Sequence, residues 1–454
     1  MLWSAQDLAA ATGAAPRAAF DASGVSIDSR SVQAGDLFVA LQAERDGHQF
    51  VADALAKGAA GALIRRGALQ LPPDAPVIEI DDPLVSLGNL AAFARARFTG
   101  KLVAVTGSVG KTSTKEMLRV ALAAAGRVHA ADASFNNHIG VPLTLARMPA
   151  DADYAVIEIG MNHPGEIAPL AVLARPHVAI ITNIASAHIG GMGSLAAIAR
   201  EKSAIFSGLE AGGTAVMPLD TAEYQILEQA AISAGARLLR IGKGGEAELL
   251  SKALDHDGSD LFVRVLNQQI SLRLGAPGRH MALNAVAVLA AVTALGVEPS
   301  RAASALANFS AIAGRGVRRP ILGGKALLLD ESYNASTISV RATLALLDLH
   351  PADRRIAVLG DMREMGEHGP SEHASLAADV RHHSDLLFTC GPLMKHLYDA
   401  VATAMTAIHA EDSAHVAPLV ATAIRPGDVV LVKGSLGSKM RLVVDALIAL
   451  PEAA

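Results

Sequence analysis

One stretch of the chain, residues 102–126, restricts its fold more than any other: LVAVTGSVGKTSTKEMLRVALAAAG. It opens with an apolar run rich in β-branched residues, Leu102 to Thr106, which predicts a buried strand. A short glycine turn follows. From Lys111 to Ala125 apolar residues recur at helical spacing, and Gly126 stands where a helix C-terminal cap is expected. The stretch therefore predicts one unit of an open α/β sheet, in which ligands bind beyond the carboxyl ends of the strands.

The turn in this stretch has the residue types of a phosphate-binding loop. Glycines let backbone N–H groups approach a polyphosphate, and the helix N-terminus adds partial positive charge. Lys111 can neutralise terminal phosphates, and the Thr112 hydroxyl can bind Mg²⁺. One position departs from the P-loop pattern, because Val105 stands where a glycine is usual. The alternative is a surface turn with a solvated lysine. We predict a nucleoside triphosphate site formed by Gly107, Ser108, Gly110, Lys111, Thr112 and Ser113.

Size and composition exclude several classes of protein. With 454 residues the chain is too long for one hydrophobic core, and about three domains are expected. A net charge of −5 without a long basic run argues against a nucleic-acid partner. The single cysteine, Cys390, excludes an internal disulfide and suits a reducing compartment. No signal peptide is visible, and the uncharged run 281–297 is too short and too rich in alanine for a membrane span. We predict a cytoplasmic protein with no membrane span.

Strand and helix patterns alternate along most of the chain, which predicts an α/β fold in three domains. Residues 1–98 form a small α/β N-terminal domain, and residues 99–316 form a central domain with a mainly parallel sheet. Residues 317–454 form a C-terminal domain that resembles a dinucleotide-binding fold, although no GxGxxG motif opens it. Within the central domain we predict one helix over 195–209 and a loop-rich insertion with short strands over 241–274.

Four residues of the central domain are candidates for chemistry beside the phosphate loop. Glu158 ends a predicted strand, where a carboxylate can bind Mg²⁺; a surface carboxylate is the alternative. His188 follows the next strand, although a lone histidine is more often structural. Asn137 belongs to a polar pair that an ordinary turn also explains. Lys202 lies on an alanine-rich predicted helix and is either a solvated lysine or, after addition of CO₂, a carbamate that acts as a metal ligand.

Polar clusters in the outer domains are further candidates. In the first domain, Arg30 can hold a diphosphate with Ser29 beside it, and turn chemistry is the alternative for both 28–30 and 46–50. In the third domain, residues 330–334 and 433–435 follow apolar strands and can approach a nucleotide or a second substrate if the domain closes.

One pair on a predicted helix of the central domain is also of interest. His280 and Asn284 stand one helical turn apart and can lie together near the nucleotide, with helix capping or core packing as the alternative.

In their order along the chain, these motifs resemble those of the Mur ligases, the ATP-dependent amide-forming enzymes of peptidoglycan assembly. The likeness covers nearly the whole sequence. Two motifs, SYNA (332–335) and GDMREMG (360–366), favour the member that joins D-alanyl-D-alanine to UDP-N-acetylmuramoyl-tripeptide over the one that adds the third peptide residue. The other motifs are DSR (28–30), GDLFVAL (35–41), DGHQF (46–50), TGSVGKTSTKEM (106–117), NNHIGVPLTL (136–145), EIGMNHPGEI (158–167), TNIASAHIGGMGS (182–194), GRHMALNA (278–285) and LVKGS (431–435).

The resemblance implies a UDP-binding N-terminal domain, a central P-loop ATPase and a Rossmann-like C-terminal domain that closes over the site. ATP and Mg²⁺ are the implied cofactors, with Lys111 on the ATP phosphates and Thr112 and Glu158 on one Mg²⁺. His188 and carbamoylated Lys202 belong to the implied second metal site. The resemblance also implies that Asn137 lies on the phosphate side and that the adenine nucleotide is positioned by Asn284, Arg315 and Asp330. The UDP group would be bound by Ser29, Arg30, Asp46, Gly47 and His48. The dipeptide would be bound by Tyr333 and Asn334.

The sequence departs from the family pattern at three places, which bear on adenine and dipeptide contacts and not on the reaction class. His138 stands where an acidic residue is usual, Met281 replaces an asparagine, and Ser336-Thr337 replaces Asn-Pro. We expect a monomer that activates a peptide carboxylate as an acyl phosphate. The alternatives are another Mur-type or a folylpolyglutamate-type ligase, and a nucleotide-binding regulator that no longer ligates.

Overall fold

The computed structural model describes residues 1–43 and 45–451. Its N-terminal part contains a parallel sheet with strand order β1-β2-β3-β4. The strands are buried because helices and loops cover both faces, as is usual for parallel sheets. The elements are α1 (Ala5–Thr12), β1 (Gly24–Ser26), β2 (Asp36–Val39), α2 (Val51–Ala56), β3 (Gly61–Arg65), β4 (Val77–Ile80) and α3 (Pro83–Arg97).

The central part is built on one long sheet with strand order β13-β12-β11-β10-β9-β8-β5-β7-β6. Pairs among β5–β11 are parallel, whereas β12 and β13 are antiparallel to their neighbours. The strands are β5 (Lys101–Thr106), β6 (Val128–Ala130), β7 (Tyr154–Glu158), β8 (Val178–Ile181), β9 (Thr214–Pro218), β10 (Arg237–Ile241), β11 (Ala247–Leu254), β12 (Ser259–Val265) and β13 (Gln268–Leu274). The helices are α4 (Lys111–Ala123), α5 (Gly140–Ala146), α6 (Ile167–Ala174), α7 (Ile189–Met192), α8 (Leu195–Ser203), α9 (Tyr224–Ser233), α10 (Arg279–Ala294) and α11 (Pro299–Leu306).

Helices cover both faces of this sheet and form two apolar cores. On one face, Met117 and Leu118 of α4 pack with the buried α10, as the sequence predicts for both helices. On the other face, α6 and α8 pack against the strands. The mainly parallel sheet of the central part is confirmed. Strand β5 lies between β8 and β7, third from the β6 edge, and the turn after β5 opens at the carboxyl edge of the sheet.

Two sequence predictions about the central part are wrong. Residues 241–274 are not loop-rich, because β11–β13 are long antiparallel strands that extend the sheet. The alternating burial of β12 is the pattern of such strands, and the glycine-rich segments around them concealed it. The helix predicted over 195–209 ends at Ser203, and the chain continues as a 3₁₀ turn. In this turn Gly208 lies so close to Ala171 that a Cβ on residue 208 would collide with the backbone of Ala171.

The C-terminal part has a sheet with strand order β14-β15-β19-β16-β17-β18, parallel except for the edge strand β14. The strands are β14 (Val317–Ile321), β15 (Ala326–Glu331), β16 (Arg354–Gly360), β17 (Leu386–Cys390), β18 (Thr406–Ala410) and β19 (Asp428–Lys433). The helices are α12 (Thr337–Leu347), α13 (Gly369–Ala374), α14 (Ala377–His383), α15 (Met394–Val401), α16 (Ser413–Ala423) and α17 (Arg441–Ile448). Apolar runs in the sequence predict four of these strands, at 326–330, 355–360, 386–391 and 428–434, and the structure contains all four. The two edge strands, β14 and β18, were missed; only one residue of each is buried.

Short 3₁₀ helices occur at turns throughout the chain. They span Gly47–Phe50, Ala204–Gly208, Leu322–Gly324, Gly366–His368 and Leu436–Ser438. Among residues 1–43 and 45–451, no helix combines the length and the apolar character that crossing a membrane requires.

The N-terminal and central parts share one apolar core. Trp3, which is fully buried, donates a 2.9 Å hydrogen bond from Nε1 to the carbonyl oxygen of Ala146 at the end of α5. Leu143 of the same helix packs into the core of the N-terminal sheet. Helix α5 therefore belongs to the apolar cores of both parts.

Candidate active site

The phosphate loop joins β5 to α4 through residues 107–110. Gly107 has φ +148°, and a Cβ there would lie 1.9 Å from Oγ1 of Thr182. Gly110 has φ +89° and a Cβ there would lie 2.8 Å from Oδ1 of Asn284. Only glycine fits both positions, because each combines a left-handed backbone with a close neighbour. The loop consequently presents backbone rather than side chains to a ligand.

Residues that follow β8 hold this loop in place. Ser108 exchanges hydrogen bonds with the backbone of Ala185, donating at 3.0 Å and accepting at 2.9 Å. The N–H of Val109 donates to Oδ1 of Asn183 at 2.8 Å, and Oγ1 of Thr182 donates to the carbonyl of Val109 at 2.5 Å. The loop is thus preorganised by neighbouring strand ends before any ligand binds.

Lys111 lies at the first position of α4 and folds back over the loop. Its Nζ donates a 2.8 Å hydrogen bond to the carbonyl oxygen of Gly107. Burial lowers the pKa of Lys111, and repulsion by Arg315 lowers it further, while Glu158 opposes both effects. A polyphosphate in the loop would stabilise the charged form of this lysine.

The donors beside the loop fit Mg²⁺. Asn136 donates from Nδ2 to Oε1 of the buried Glu158 at 2.8 Å, whereas Oε2 of that carboxylate is buried without a partner among the described residues. The hydroxyl of Thr112 lies 3.2 Å from Oγ of Ser134. Carboxylate and hydroxyl oxygens are the ligands that Mg²⁺ prefers. An unsatisfied buried carboxylate oxygen is costly, so its presence indicates a site built for a cation.

Lys202 is the most unusual titratable group near the loop. It is fully buried, and its Nζ has no hydrogen-bond partner within residues 1–43 and 45–451. Burial holds the pKa of Lys202 well below its ordinary value, and the positive charge of Lys111 lowers it further. Burial and the charge of Lys111 therefore both favour the neutral, nucleophilic form of this amine.

His188 stands where the central and C-terminal parts meet. Its backbone is left-handed, with φ +68°, and its Nδ1 lies 2.5 Å from Oε2 of Glu364. The N–H of Gly190 donates to the carbonyl oxygen of Glu364 at 3.0 Å. The hydrogen bond with His188 lowers the pKa of Glu364. Because Nδ1 is engaged, Nε2 is the ring nitrogen that His188 can offer to a ligand.

Arg315 connects the phosphate loop to the C-terminal part. Its guanidinium lies over the ring of Tyr333, 4.1 Å from the ring centroid, and its Nη2 donates to Oγ of Ser134 at 3.4 Å. Asp330 is fully buried; its Oδ1 accepts from Ser332, and its Oδ2 has no partner in the described chain. Arg315 therefore contacts both Tyr333, which is predicted to bind the dipeptide, and Ser134, which lies beside Thr112.

A second buried ion pair lies at the carboxyl ends of β15 and β19. Nζ of Lys433 lies 3.5 Å from Oε2 of Glu331 and donates to the carbonyl oxygen of Asn334 at 3.0 Å. Burial raises the pKa of Glu331 and lowers that of Lys433, and each charge partly offsets the shift of the other. His280 lines the same cavity as this pair. Burial and the charge of Lys433 lower the pKa of His280 to about 4.

A cavity of about 810 Å³ unites these groups between the central and C-terminal parts. The sequence-predicted residues on its wall are Ser108, Gly110, Lys111, Thr112, Ser113, Asn137, Glu158, His188, Asn284, Arg315, Tyr333 and Asn334. Gly107, Lys202 and Asp330 are absent from this wall; Lys202 lies within electrostatic reach of Lys111, and Asp330 directly precedes Glu331 on β15. Oδ1 of Asn137 accepts from the backbone of Ile139 and Gly140 and so caps α5.

The residues predicted to bind UDP lie elsewhere, beyond the carboxyl ends of β1 and β2. Ser29 is buried, whereas the Arg30 side chain is 86% exposed and pairs with Asp28 at 2.6 Å. Asp46 caps the 3₁₀ turn that includes Gly47, and its Oδ1 lies 2.6 Å from Nδ1 of His48. Nε2 of His48 accepts from the N–H of Arg65 at 2.9 Å, so both of its ring nitrogens are engaged within the domain.

Sequence reasoning missed several residues of the site. Ser134 lies in no quoted motif, and Glu364 stands in the GDMREMG motif (360–366), which indicated the family member and not a contact with His188. Thr182 and Asn183 end the predicted strand that precedes His188, and neither was assigned a role. Glu331 lies within the predicted cluster 330–334, but no individual role was predicted for it.

Three family models match successive parts of the chain. The Mur ligase family catalytic domain matches residues 21–95, the Mur ligase middle domain residues 105–292, and the Mur ligase glutamate ligase domain residues 319–436. A relative in Synechocystis sp., named UDP-N-acetylmuramoyl-tripeptide--D-alanyl-D-alanine ligase, is 36% identical over 431 residues, which are 94% of this chain and 92% of the relative. The chain belongs to the Mur ligase family. A protein of the same name from Escherichia coli K12 is 35% identical over 93% of this Mur ligase and 93% of the relative. Another from Bacillus subtilis 168 is 32% identical over 94% of this Mur ligase and 93% of the relative.

Solved structures of similar fold agree with this membership. MurF from Acinetobacter baumannii superposes on the Mur ligase with a TM-score of 0.87 at 29% identity, covering 98% of both chains. MurF from Thermotoga maritima, solved in complex with ADP, gives a TM-score of 0.78 at 27% identity over 93% of this chain and 96% of that chain. A Mycobacterium tuberculosis folylpolyglutamate synthase, at 17% identity and a TM-score of 0.65 over 81% of this chain and 94% of its own, shares the fold. The predicted three-domain α/β architecture is confirmed.

Proposed function

We propose that this Mur ligase is an ATP-dependent, ADP-forming enzyme that joins D-alanyl-D-alanine to UDP-N-acetylmuramoyl-tripeptide during peptidoglycan precursor synthesis. The names of relatives that align with nearly the whole chain support this substrate pair. The observation that carries the proposal is one cavity with the phosphate loop on its central wall and Tyr333 and Asn334 on its C-terminal wall. That cavity can hold a triphosphate and an acceptor together.

In the first step, a carboxylate oxygen of the tripeptide attacks the γ-phosphorus of ATP and gives an acyl phosphate and ADP. A carboxylate is a poor electrophile, and phosphorylation supplies it with a leaving group. The loop N–H groups and Lys111 hold the phosphates and stabilise charge on the transferring group. Mg²⁺, when bound, offsets negative charge on the phosphate oxygens. Thr112 and Glu158 are the residues that would hold it, since Glu158 has an unsatisfied oxygen there.

Lys202 has a separate role in this proposal. Its amine, in the neutral form, would add CO₂ at Nζ and lose one proton, so that a neutral amine becomes a carbamate anion. With His188 offering Nε2, this carbamate would complete the second metal site. The support is the buried and unpartnered Nζ of Lys202. An isolated amine of this kind is otherwise unexplained, because a buried lysine without a partner destabilises the fold.

In the second step, the amine of D-alanyl-D-alanine attacks the acyl carbon and phosphate leaves. Water must be excluded, because it would hydrolyse the acyl phosphate. Contacts of Glu364 with His188 and Gly190 already bring the C-terminal part against the central part. They support a closed arrangement during catalysis. Asn284, Arg315 and Asp330 would position the adenine nucleotide from the surrounding walls.

We assign the three parts of the chain to separate tasks: residues 1–98 bind the UDP group, 99–316 bind ATP, and 317–454 bind the acceptor and close the site. Ser29, Arg30 and the 46–48 turn support the first task, since they share the carboxyl edge of the N-terminal sheet. The protein acts as a cytoplasmic monomer in this proposal. The cavity supports that state, because one chain provides both of its walls.

A phosphate-release assay tests the function. The wild-type protein, given ATP, Mg²⁺ and UDP-N-acetylmuramoyl-tripeptide, should release phosphate rapidly only when D-alanyl-D-alanine is added. Lys111→Ala should lower that rate at least about 100-fold, whereas Lys252→Ala, an exposed lysine on β11, should retain it. Dipeptide-independent release, or ligation of glutamate to a folate instead, would contradict the proposal. Binding of ATP without turnover of any muramoyl peptide would identify a regulator.

A further inference from the structure

The second half of the reaction needs a group that the proposed function leaves unassigned. A dipeptide amine has a pKa of about 7.7–8.0 and enters largely as ammonium at neutral pH. Ammonium has no lone pair, so a proton must leave before nitrogen can attack the acyl carbon. The carboxylates on the cavity wall are Glu158, Glu166, Asp220 and Glu331. The base should be among them.

Three of these four carboxylates are poorly suited to the task. Glu158 is committed to Asn136 and the predicted Mg²⁺ position. Glu166 accepts from the N–H of Asn162 at 2.6 Å and pairs with His163. Asp220 is exposed, so solvent competes for its carboxylate. Glu331 alone among the four comes from the C-terminal part, which holds the predicted dipeptide-side residues.

We propose that Glu331 binds the ammonium of the incoming dipeptide and removes its proton. This inference rests on the proposed ligase function. Glu331 lies at the carboxyl end of β15 with its side chain 12% exposed, so it is shielded from bulk water yet reaches the cavity. Lys433 at 3.5 Å and the nearby Arg315 favour the ionised form of this carboxylate, whereas burial and the like charge of Asp330 oppose it. A buried carboxylate with one cationic partner can still accept a second cation, because each of its oxygens has two acceptor positions.

The electrostatics of Glu331 suit a base. Burial raises the pKa of Glu331, and Lys433 and Arg315 limit that rise. A carboxylate with a raised pKa takes a proton from ammonium more readily than a solvated one. The charge of Arg315 lowers the pKa of both Lys111 and Glu331, so the group that holds the ATP phosphates and the proposed base share one cationic neighbour. Glu331 is therefore electrostatically linked to the place where the acyl phosphate would form.

The step balances as follows. One ammonium proton moves to the Glu331 carboxylate, and the freed nitrogen lone pair forms the N–C bond to the acyl carbon. The carbon–oxygen bond to phosphate then breaks, with its electron pair leaving on the phosphate oxygen. The second proton lost by the nitrogen goes to the departing phosphate. Glu331 returns its proton to solvent when the product leaves.

Hydroxylamine separates the two halves of the reaction. It is neutral at pH 8 and traps an acyl phosphate as a hydroxamate without a base. Glu331→Gln should lower the ratio of dipeptide ligation to hydroxamate formation by at least about 100-fold. The deficit should shrink between pH 7 and 9, as free amine becomes available. Glu331→Asp should recover part of the loss, and Glu367→Gln, an exposed glutamate of the same domain, should match the wild type.

The two rates measured for Glu331→Gln distinguish a base from a structural residue. If Glu331→Gln lowers ligation and hydroxamate formation equally at every pH, Glu331 is structural and the inference is wrong. The hydroxamate measured in the same preparation also shows whether each variant is folded. If the wild type gives no hydroxamate with UDP-N-acetylmuramoyl-tripeptide, the proposed function itself fails, and this inference fails with it. A loss confined to ligation and relieved at high pH supports the base.

Discussion

Asn136 donates a 2.8 Å hydrogen bond to one carboxylate oxygen of Glu158, and the other oxygen of that carboxylate is buried with no partner among the described residues. The amide fixes the orientation of the carboxylate, and Glu158 shares the cavity wall with the phosphate loop. Such a half-satisfied carboxylate is stable only if a cation completes it.

We therefore predict that Glu158→Gln weakens Mg²⁺ use and leaves the loop intact. The neutral amide lacks the charge that a hard divalent cation requires. The rate of ADP formation should fall about 100-fold, and the Mg²⁺ concentration for half-maximal rate should rise. Metal-free ATP should bind as before, as measured by calorimetry. Glu411→Gln, at an exposed position, is the control; an unaltered Mg²⁺ dependence in Glu158→Gln would remove Glu158 from the metal site.

The loop backbone supports a second prediction. Gly107→Ala should abolish ATP binding, because its Cβ would overlap Oγ1 of Thr182 and its φ of +148° disfavours a side chain. Gly212→Ala is the matched control. Gly212 also has a positive φ, +74°, but nothing lies within 4 Å of its would-be Cβ. It should lose about 1–2 kcal/mol of stability from backbone strain alone and bind ATP normally. Equal ATP affinity in both variants would show that the Thr182 contact is unimportant.

Much of the fold was predictable because its signals are local. The strand, glycine turn and helix at 102–126 and the buried helix α10 follow from apolar periodicity. The edge strands β14 and β18 were not predictable in the same way. Only one residue of each is buried, and they are strands because neighbouring strands offer hydrogen bonds.

The residues of the candidate site also fall into those that local sequence signals indicate and those that they do not. Lys111, Thr112 and Glu158 stand in or next to strand-end motifs, so their residue types and positions suggested a role. Ser134 and Glu364 reach the site through tertiary contacts that join distant segments, and a single sequence contains no signal for these. Their roles depend on how the domains pack, which is a property of the whole fold.

His350 predicts a pH dependence of stability. It is buried beside Arg318, and its ring centroid lies 6.0 Å from that of His256, across the contact between the C-terminal part and the β11–β12 loop. Burial, aided by repulsion from Arg318, lowers the pKa of His350 from 6.5 to about 4. The unfolded chain therefore binds more protons in this window, and stability is lost as the pH falls from about 6.5 to about 4.

In His350→Gln this part of the slope should disappear, a difference of about 3 kcal/mol at pH 4. Hydrogen exchange of β14–β19 as a function of pH measures it, since exchange reports the opening free energy of that sheet alone. His382→Gln, at an exposed position, should keep the wild-type slope. A slope in His350→Gln as steep as in the wild type would mean that other groups cause it.

Lys115 gives the last prediction, which concerns the segment 131–137 between β6 and α5. Lys115 is fully buried on α4, 2.9 Å from Oε1 of Glu116, and its Nζ donates to the carbonyl oxygens of Ala131 at 2.5 Å and Ala133 at 3.3 Å. The same segment presents Ser134 to Thr112 and Asn136 to Glu158. Lys115→Met would keep the volume and remove the donors, and breaking a buried pair costs about 3 kcal/mol.

This loss should loosen the segment before the rest of the domain, because its carbonyl groups lose their partner while the sheet hydrogen bonds are unchanged. Hydrogen exchange over 131–137 should accelerate, and the affinity for Mg²⁺-ATP should fall although Lys115 does not line the cavity. Lys252→Met, an exposed lysine on β11, should alter neither measurement. If exchange over 131–137 were unchanged in Lys115→Met, other contacts would hold Ser134 and Asn136 in place, and Lys115 would serve stability alone.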